Sequence, residues 1–252
     1  MVSSARSELE LLLRARKLDQ TLTSALPCFS SRDPLAVAAS EVAPLDALLG
    51  EGFPRGQLSG LVGGRSSGRT SVLLQMLAAA TARGEFVALI DALDMFDVLS
   101  ASEAGIDFDR LLWIRGHVVI NPGLCREMNE RALSQAIKAL TLVLQAGNFG
   151  LVVFDLAEAP SEALRRLPFT TWLRLQRIIE GSQTSCVLVG SESMARSSGG
   201  LTLRLESRAS SGTLFRGQLF NGLELKASVV RARSHAFQEA AVACATAASP
   251  HV

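Results

Sequence analysis

A glycine-rich run, GGRSSGRTS at residues 63–71, does most to limit what this chain can fold into. It is entered from the apolar pair Leu61-Val62 and left through TSVLLQMLAAATAR, an apolar segment of helical character. The frame is G-x-x-x-x-G-[basic]-[Ser/Thr], that of the phosphate-binding loop, in which a buried strand turns sharply into a helix and backbone N–H groups face an anion. Gly63, Gly64 and Gly68 matter in such a loop because they lack side chains. Arg69 stands where the motif has lysine. A planar guanidinium is bulkier than an ammonium and prefers forked hydrogen bonds, so the cradle tolerates the change better than hydrolysis does.

The rest of the chain continues the alternation. QLSGLVG, EFVALIDA, LLWIR, GLVVFDLA and SCVLVGS are short apolar runs. Between them lie helical patterns, among them a long stretch from about Leu124 to Gln145 and the segment PFTTWLRLQRIIEGS, which Pro168 opens. Trp172, Leu175, Ile178 and Ile179 fall at helical spacing there, and core packing is the expectation for Trp172. This order predicts an α/β fold with a central, mostly parallel sheet flanked by helices. Beyond residue 199, GLTLRLESRAS and LFRGQLFNGLELKASVVRARS alternate and carry turn glycines, which predicts antiparallel strands added at the C-terminal end.

With 252 residues, 48% of them hydrophobic, the chain suffices for one sizeable core, placed at residues 42–235. Residues 1–41 read as an amphipathic helix, with leucines at 9, 11, 12, 13 and 18, followed by an extended connector rich in Ser, Thr and Pro. Residues 236–252 read as a disordered, alanine-rich tail. Twenty-five basic residues nearly cancel twenty-four acidic ones, so total charge predicts no avid binding to nucleic acid or anionic lipid. Cys28, Cys125, Cys186 and Cys244 lie far apart, with no C-x-x-C pair and no histidine at metal-ligand spacing, and read as reduced thiols. The amino-terminal apolar cluster is closely flanked by charges, and no run is long enough to span a bilayer; a cytoplasmic protein without a membrane partner is expected.

Several residues bear on the chemistry of the loop. Thr70 supplies the hydroxyl expected to hold Mg²⁺, and LVVFD ends in Asp155, a carboxylate placed behind the metal at a strand's carboxyl end. Hydrolysis also needs a group that orients or deprotonates the attacking water. EFVALIDA is followed by Leu93 and then Asp94; Asp91, Asp94 and Asp97 suit a solvated loop and a helix cap as well as they suit catalysis. Arg204, Arg208, Arg216, Lys226, Arg231 and Arg233 face only Glu206 and Glu224 across residues 201–235. This basic face could contact nucleic acid, or it could consist of solvated edges that discourage strand-to-strand aggregation, since no aromatic stacking series accompanies it.

Taken together, LDALLGEGFPRGQLSGLVGGRSSGRTSVLLQMLAAATARGEFVALIDA resembles the opening of the core of the bacterial RecA recombinases. The likeness continues through AGIDFDRLLWIR and LVVFD and, more weakly, through SCVLVGS and ELKASVVRAR, covering about residues 42–235. The resemblance puts Gly63, Ser66, Ser67, Gly68, Arg69, Thr70 and Ser71 at the phosphate loop and Asp155 at the second acidic motif, and implies ATP with Mg²⁺ as the ligand. Three departures stand out: Arg69 for the lysine, Leu93 where the catalytic glutamate follows I-D-A, and about Ser191, with Glu192 beside it, where the nucleotide-sensing glutamine falls. The two loops that hold single-stranded DNA in recombinases look trimmed, because LAEAPSEALRRL leads straight into a helix and only ESMARSSGG follows Ser191 before the next strand. A chain without the family's separate carboxyl-terminal domain is expected as well.

These departures, together with the amino-terminal segment and LPFTTWLRLQRIIEGSQTS, are similar to the ImuA-type proteins, RecA-like accessory subunits of bacterial mutagenic translesion synthesis. The resemblance implies a non-catalytic adaptor in SOS-type DNA damage tolerance, located at the nucleoid. It would link a Y-family polymerase-like subunit to a replicative-type, error-prone polymerase and contact the RecA filament, with indirect or weak DNA contact and self-association left open. The competing reading is an ATP-dependent, DNA-binding recombinase-like ATPase in which Arg69 clamps phosphate and Asp94 or Glu192 stands in for the lost carboxylate. Binding without turnover and complete loss of binding also stay open, since backbone donors survive in both.

Overall fold

The computed structural model describes residues 37–116, 126–194, 200–207, 222–231 and 239–245. In chain order the elements are β1 (Val37–Ala38), α1 (Ala43–Leu49), β2 (Phe53–Pro54), β3 (Gln57–Gly63), α2 (Arg69–Ala82), β4 (Val87–Asp91), α3 (Val98–Glu103), β5 (Leu111–Arg115), α4 (Arg126–Ala146) and β6 (Leu151–Asp155). They continue with α5 (Ser161–Arg165), α6 (Phe169–Ile179), β7 (Ser185–Gly190), β8 (Thr202–Ser207), β9 (Gly222–Arg231) and β10 (Glu239–Ala245). One sheet takes the strands in the order β10-β9-β8-β3-β7-β6-β4-β5, and β1 pairs with β2 in a small sheet of its own. From β8 to β5 the pairings are parallel, while β9 and β10 join antiparallel, so the α/β fold is the one the alternation predicts.

The apolar runs are unbroken because both faces of the sheet are covered. Successive strand residues point to opposite faces, so one run serves two core layers. Val87 and Leu89 of β4 pack with Leu73 and Leu77 of α2, whereas Ala88 and Ile90 pack in the layer of Leu133 and Leu140 of α4 and Trp172 and Leu175 of α6. Trp172 is 2% exposed, a core residue as expected. The Gln176 side chain of α6 fastens the start of β3, with Oε1 accepting from Leu58 N at 2.9 Å and Nε2 donating to Gly56 O at 3.3 Å.

Two expectations need correction. Thr202–Ser207 was expected among antiparallel strands, yet β8 runs parallel to β3, from Gly60↔Thr202 to Gly63↔Leu205, and is antiparallel only to β9. Alternation reports which face of a strand is buried, not the direction of its neighbour. Residues 239–245, within the stretch expected to be a disordered tail, form strand β10 along β9. Alanine carries little strand signal, whereas an uncovered β9 would present a row of unpaired N–H and C=O groups. The pairing Val37↔Pro54 and Ala38↔Phe53 brings residues ahead of 42 into the fold as well. The leucine-rich segment at residues 9–18 lies outside the described residues. Among the described residues no helix is long and apolar enough to cross a membrane. Cys186 is fully buried, which pushes its thiol up to about 12.

Candidate nucleotide site

Because β3, β4, β6 and β7 run parallel, their carboxyl ends share one rim of the sheet, and the glycine-rich loop leaves β3 there. Ligands of open α/β sheets bind at this kind of rim. Two glycines are demanded by geometry. Gly68, the residue before α2, has φ 83°, in the left-handed region. Gly63 lies so close to β8 and the loop that a Cβ would sit 2.5 Å from the Leu205 carbonyl oxygen and 2.5 Å from Ser67 Oγ. Gly64 differs, since an added Cβ would meet nothing within 4 Å and the residue is exposed. Ser66 takes φ 57°, and Ser67 N donates to Gly64 O at 3.3 Å, closing the turn.

Arg69, the first residue of α2, is only 7% exposed. Its Nη1 has no hydrogen-bond partner among the described residues, and neither has the buried Ser67 Oγ. Arg69 Nη2 lies 4.0 Å from Glu158 Oε1. Buried donors without acceptors cost stability, and a bound oxyanion removes that cost. Two such donors at the start of a helix fit a phosphate oxygen. Thr70 and Ser71 follow, both exposed.

Asp155 ends β6, half-buried, and its Oδ1 accepts from Ala157 N at 2.9 Å. Burial pushes its carboxyl up to about 6; the hydrogen bond from Ala157 opposes this, Asp91 adds to it, Arg69 opposes it and Glu158 adds to it. Among the described residues no three His, Cys, Asp or Glu side chains are grouped to hold a metal. Mg²⁺ held by Thr70 and Asp155 would therefore draw its other ligands from phosphate and water, its usual habit.

At the end of β4 the polar groups are all engaged. Asp91, 2% exposed, accepts from Met95 N and Phe96 N, each at 2.9 Å, and from Trp113 Nε1 at 3.3 Å. Leu93, 8% exposed, packs in the core layer that contains Ile90 and Leu156. Asp94 accepts a forked pair from Arg115, Nε to Oδ1 and Nη2 to Oδ2, each 2.7 Å, which holds its carboxyl below the ordinary aspartate range. Asp97 caps α3, accepting from Leu99 N and Ser100 N. At the end of β7, Ser191 and Glu192 are exposed, and Glu192 pairs with Arg165 at 3.3 Å. Both line a cleft of about 470 Å³ together with Leu164, Phe169 and Trp172.

The basic residues of the late strands are not gathered into a described face. Arg204 is exposed on β8, and Lys226 stands opposite Glu206 in the β8–β9 register. Arg231 ends β9, whereas Arg208, Arg216 and Arg233 lie outside the described residues. β8 and β9 are interior strands, because β10 covers β9, so Arg204 and Lys226 do not lie on an edge strand. Sequence reasoning also missed Arg65, Arg115 and Glu158. Glu158 stands three residues beyond Asp155, and that nearness was the one signal that could have singled it out.

A mostly parallel eight-stranded sheet with a glycine-rich loop between β3 and α2 defines a phosphate-loop α/β protein. The family described as RecA N-terminal domain matches residues 30–155, half of the 252-residue chain, and the chain belongs to that family. Protein RecA of Nocardioides sp. is 34% identical over 125 residues, which is 49% of this chain and 32% of that protein. Protein RecA of Corynebacterium efficiens is 41% identical over 83 residues, 32% of this chain and 22% of that one. The matched stretch thus spans about a third or less of the length of these relatives. The crystal structure of the RadB recombinase superposes with a TM-score of 0.58 over 81% of this chain and 94% of that chain; at 18% identity the likeness is one of fold.

Proposed function

We propose that this chain is a RecA-type accessory protein that binds a nucleotide without hydrolysing it and acts as an adaptor of the ImuA type in translesion DNA synthesis. The observation that carries this reading is at the end of β4, where the position of the family's catalytic glutamate is the core residue Leu93 and the nearby carboxylates are engaged by Arg115 and by backbone amides. None of these carboxylates is left to orient an attacking water. The orphaned Arg69 Nη1 and Ser67 Oγ support retention of phosphate binding, with Mg-ATP as a structural or switching ligand. On this reading the partners are a Y-family polymerase-like subunit, a replicative-type, error-prone polymerase and the RecA filament. DNA contact is indirect or weak, in keeping with the direct run from Asp155 through residues 156–160 into α5.

Calorimetric titration with Mg-ATP and a non-hydrolysable analogue, paired with a turnover assay containing single-stranded DNA, tests the proposal. Binding of both ligands with no turnover is the expected result, together with a stable complex with the two polymerase partners in sedimentation. Turnover stimulated by DNA and abolished by Arg69→Ala would overturn it. A second reading, a recombinase-like ATPase, is favoured by the complete glycine frame with Thr70 and Asp155. Strong hydrolysis created by Arg69→Lys would decide for that reading.

A further inference from the structure

Glu158 lies in the short connection between β6 and α5 and reaches back over the glycine-rich loop. Its Oε2 accepts from Arg65 Nε at 3.1 Å and from Arg65 Nη2, while its Oε1 stands 4.0 Å from Arg69 Nη2. An anion that addresses both arginines of the loop is therefore supplied by the protein itself. The pairing with Arg69 is incomplete. At 4.0 Å the contact is too long for a hydrogen bond, and Arg69 Nη1 is buried without a partner, so Glu158 offsets the charge of Arg69 without satisfying its donors. A phosphate oxygen at Arg69 would satisfy them, but it would face a like-charged carboxylate a few ångströms away.

We propose that Glu158 is an internal latch on the loop: it holds the anion position between Arg65 and Arg69, and a phosphate group binds there by displacing it. This rests on the reading of the loop as a nucleotide site. The latch is easily opened, because the Arg65 side chain is 85% exposed and that of Glu158 27%, and an ion pair so open to water contributes little. What the latch imposes is selectivity by charge and salt. The ligand must carry enough phosphate to outcompete a tethered carboxylate, and wild-type affinity stays modest until that carboxylate swings away.

The test is calorimetric titration of the full chain with inorganic tripolyphosphate and with Mg-ATP at low salt, comparing wild type, Glu158→Gln and Glu158→Gln/Arg69→Ala, with urea midpoints recorded for each. Removing the tethered carboxylate that competes with phosphate for Arg69 should tighten Glu158→Gln by about tenfold or more, and Arg69→Ala in that background should abolish the gain. Equal affinities for wild type and Glu158→Gln would overturn the latch and leave the loop standing as a nucleotide site. Weaker binding by Glu158→Gln would overturn it by making Glu158 a ligand contact. No binding by wild type or by Glu158→Gln, with urea midpoints intact, would overturn the nucleotide reading itself, and the latch with it.

Discussion

The ends of β3 and β4 lie on the same rim of the sheet and treat their polar groups in opposite ways. At the glycine-rich loop, Arg69 Nη1 and Ser67 Oγ are buried with no hydrogen-bond partner among the described residues. At β4, Asp91, Asp94 and Asp97 each accept from named donors, and Leu93 is packed into the core. Unsatisfied buried donors cost stability and are retained where a ligand completes them; satisfied ones hold the fold. On the proposed reading, the loop half of the rim keeps the character of a binding site while the β4 half serves the fold.

The largest expected effect comes from placing a glutamate at position 93, where the resemblance implies one. Leu93→Glu places a carboxylate in a packed apolar layer and should lower stability by about 3–4 kcal/mol in urea unfolding, without creating turnover. A folded variant that hydrolysed ATP would break the comparison. Next, Asp91→Ala strips the acceptor from two backbone amides and the Trp113 indole, and should cost about 2–3 kcal/mol while leaving tripolyphosphate affinity unchanged.

The loop side responds with the opposite sign. The carboxyl of Asp155 is pushed up to about 6, chiefly by burial, so folding disfavours its charged form. That penalty is absent below the ordinary aspartate range, grows as pH rises towards and through 6, and is complete above it. Asp155→Asn should therefore be more stable than wild type at pH 8, by roughly 1–2 kcal/mol, and indistinguishable from it at about pH 3 in thermal melts. The smallest effect belongs to Arg115→Ala. The Arg115 fork depresses the carboxyl of Asp94, so the stability it adds is present at neutral pH and lost as pH falls through that lowered value. The variant should melt slightly below wild type at neutral pH and coincide with it in strong acid.

Much of the fold was legible because it is written in local patterns. Strand β4 reads Val-Ala-Leu-Ile-Asp and strand β6 Leu-Val-Val-Phe-Asp, runs that only a strand covered on both faces supports, and Gly63 and Gly68 mark the turn between β3 and α2. The direction of β8 was not legible, because period-two alternation is the same in parallel and antiparallel neighbours. β10 was not legible because alanine carries little strand signal of its own. At the site, the loop, Thr70 and Asp155 could be named from motif spacing, whereas the partners of each carboxylate could not.

Local sequence sets the succession of apolar runs and helices, the glycine-rich turn, and the presence of Arg69 and Leu93 where the resemblance implies lysine and glutamate. Those depend on backbone sterics and on periodicities that neighbouring residues set among themselves. Which charges meet depends on the assembled fold. Glu158 reaches Arg65 across 93 residues of chain, and Arg115 reaches Asp94 across 21. Such meetings follow from the order in which strands are laid into the sheet, and no local pattern encodes that order.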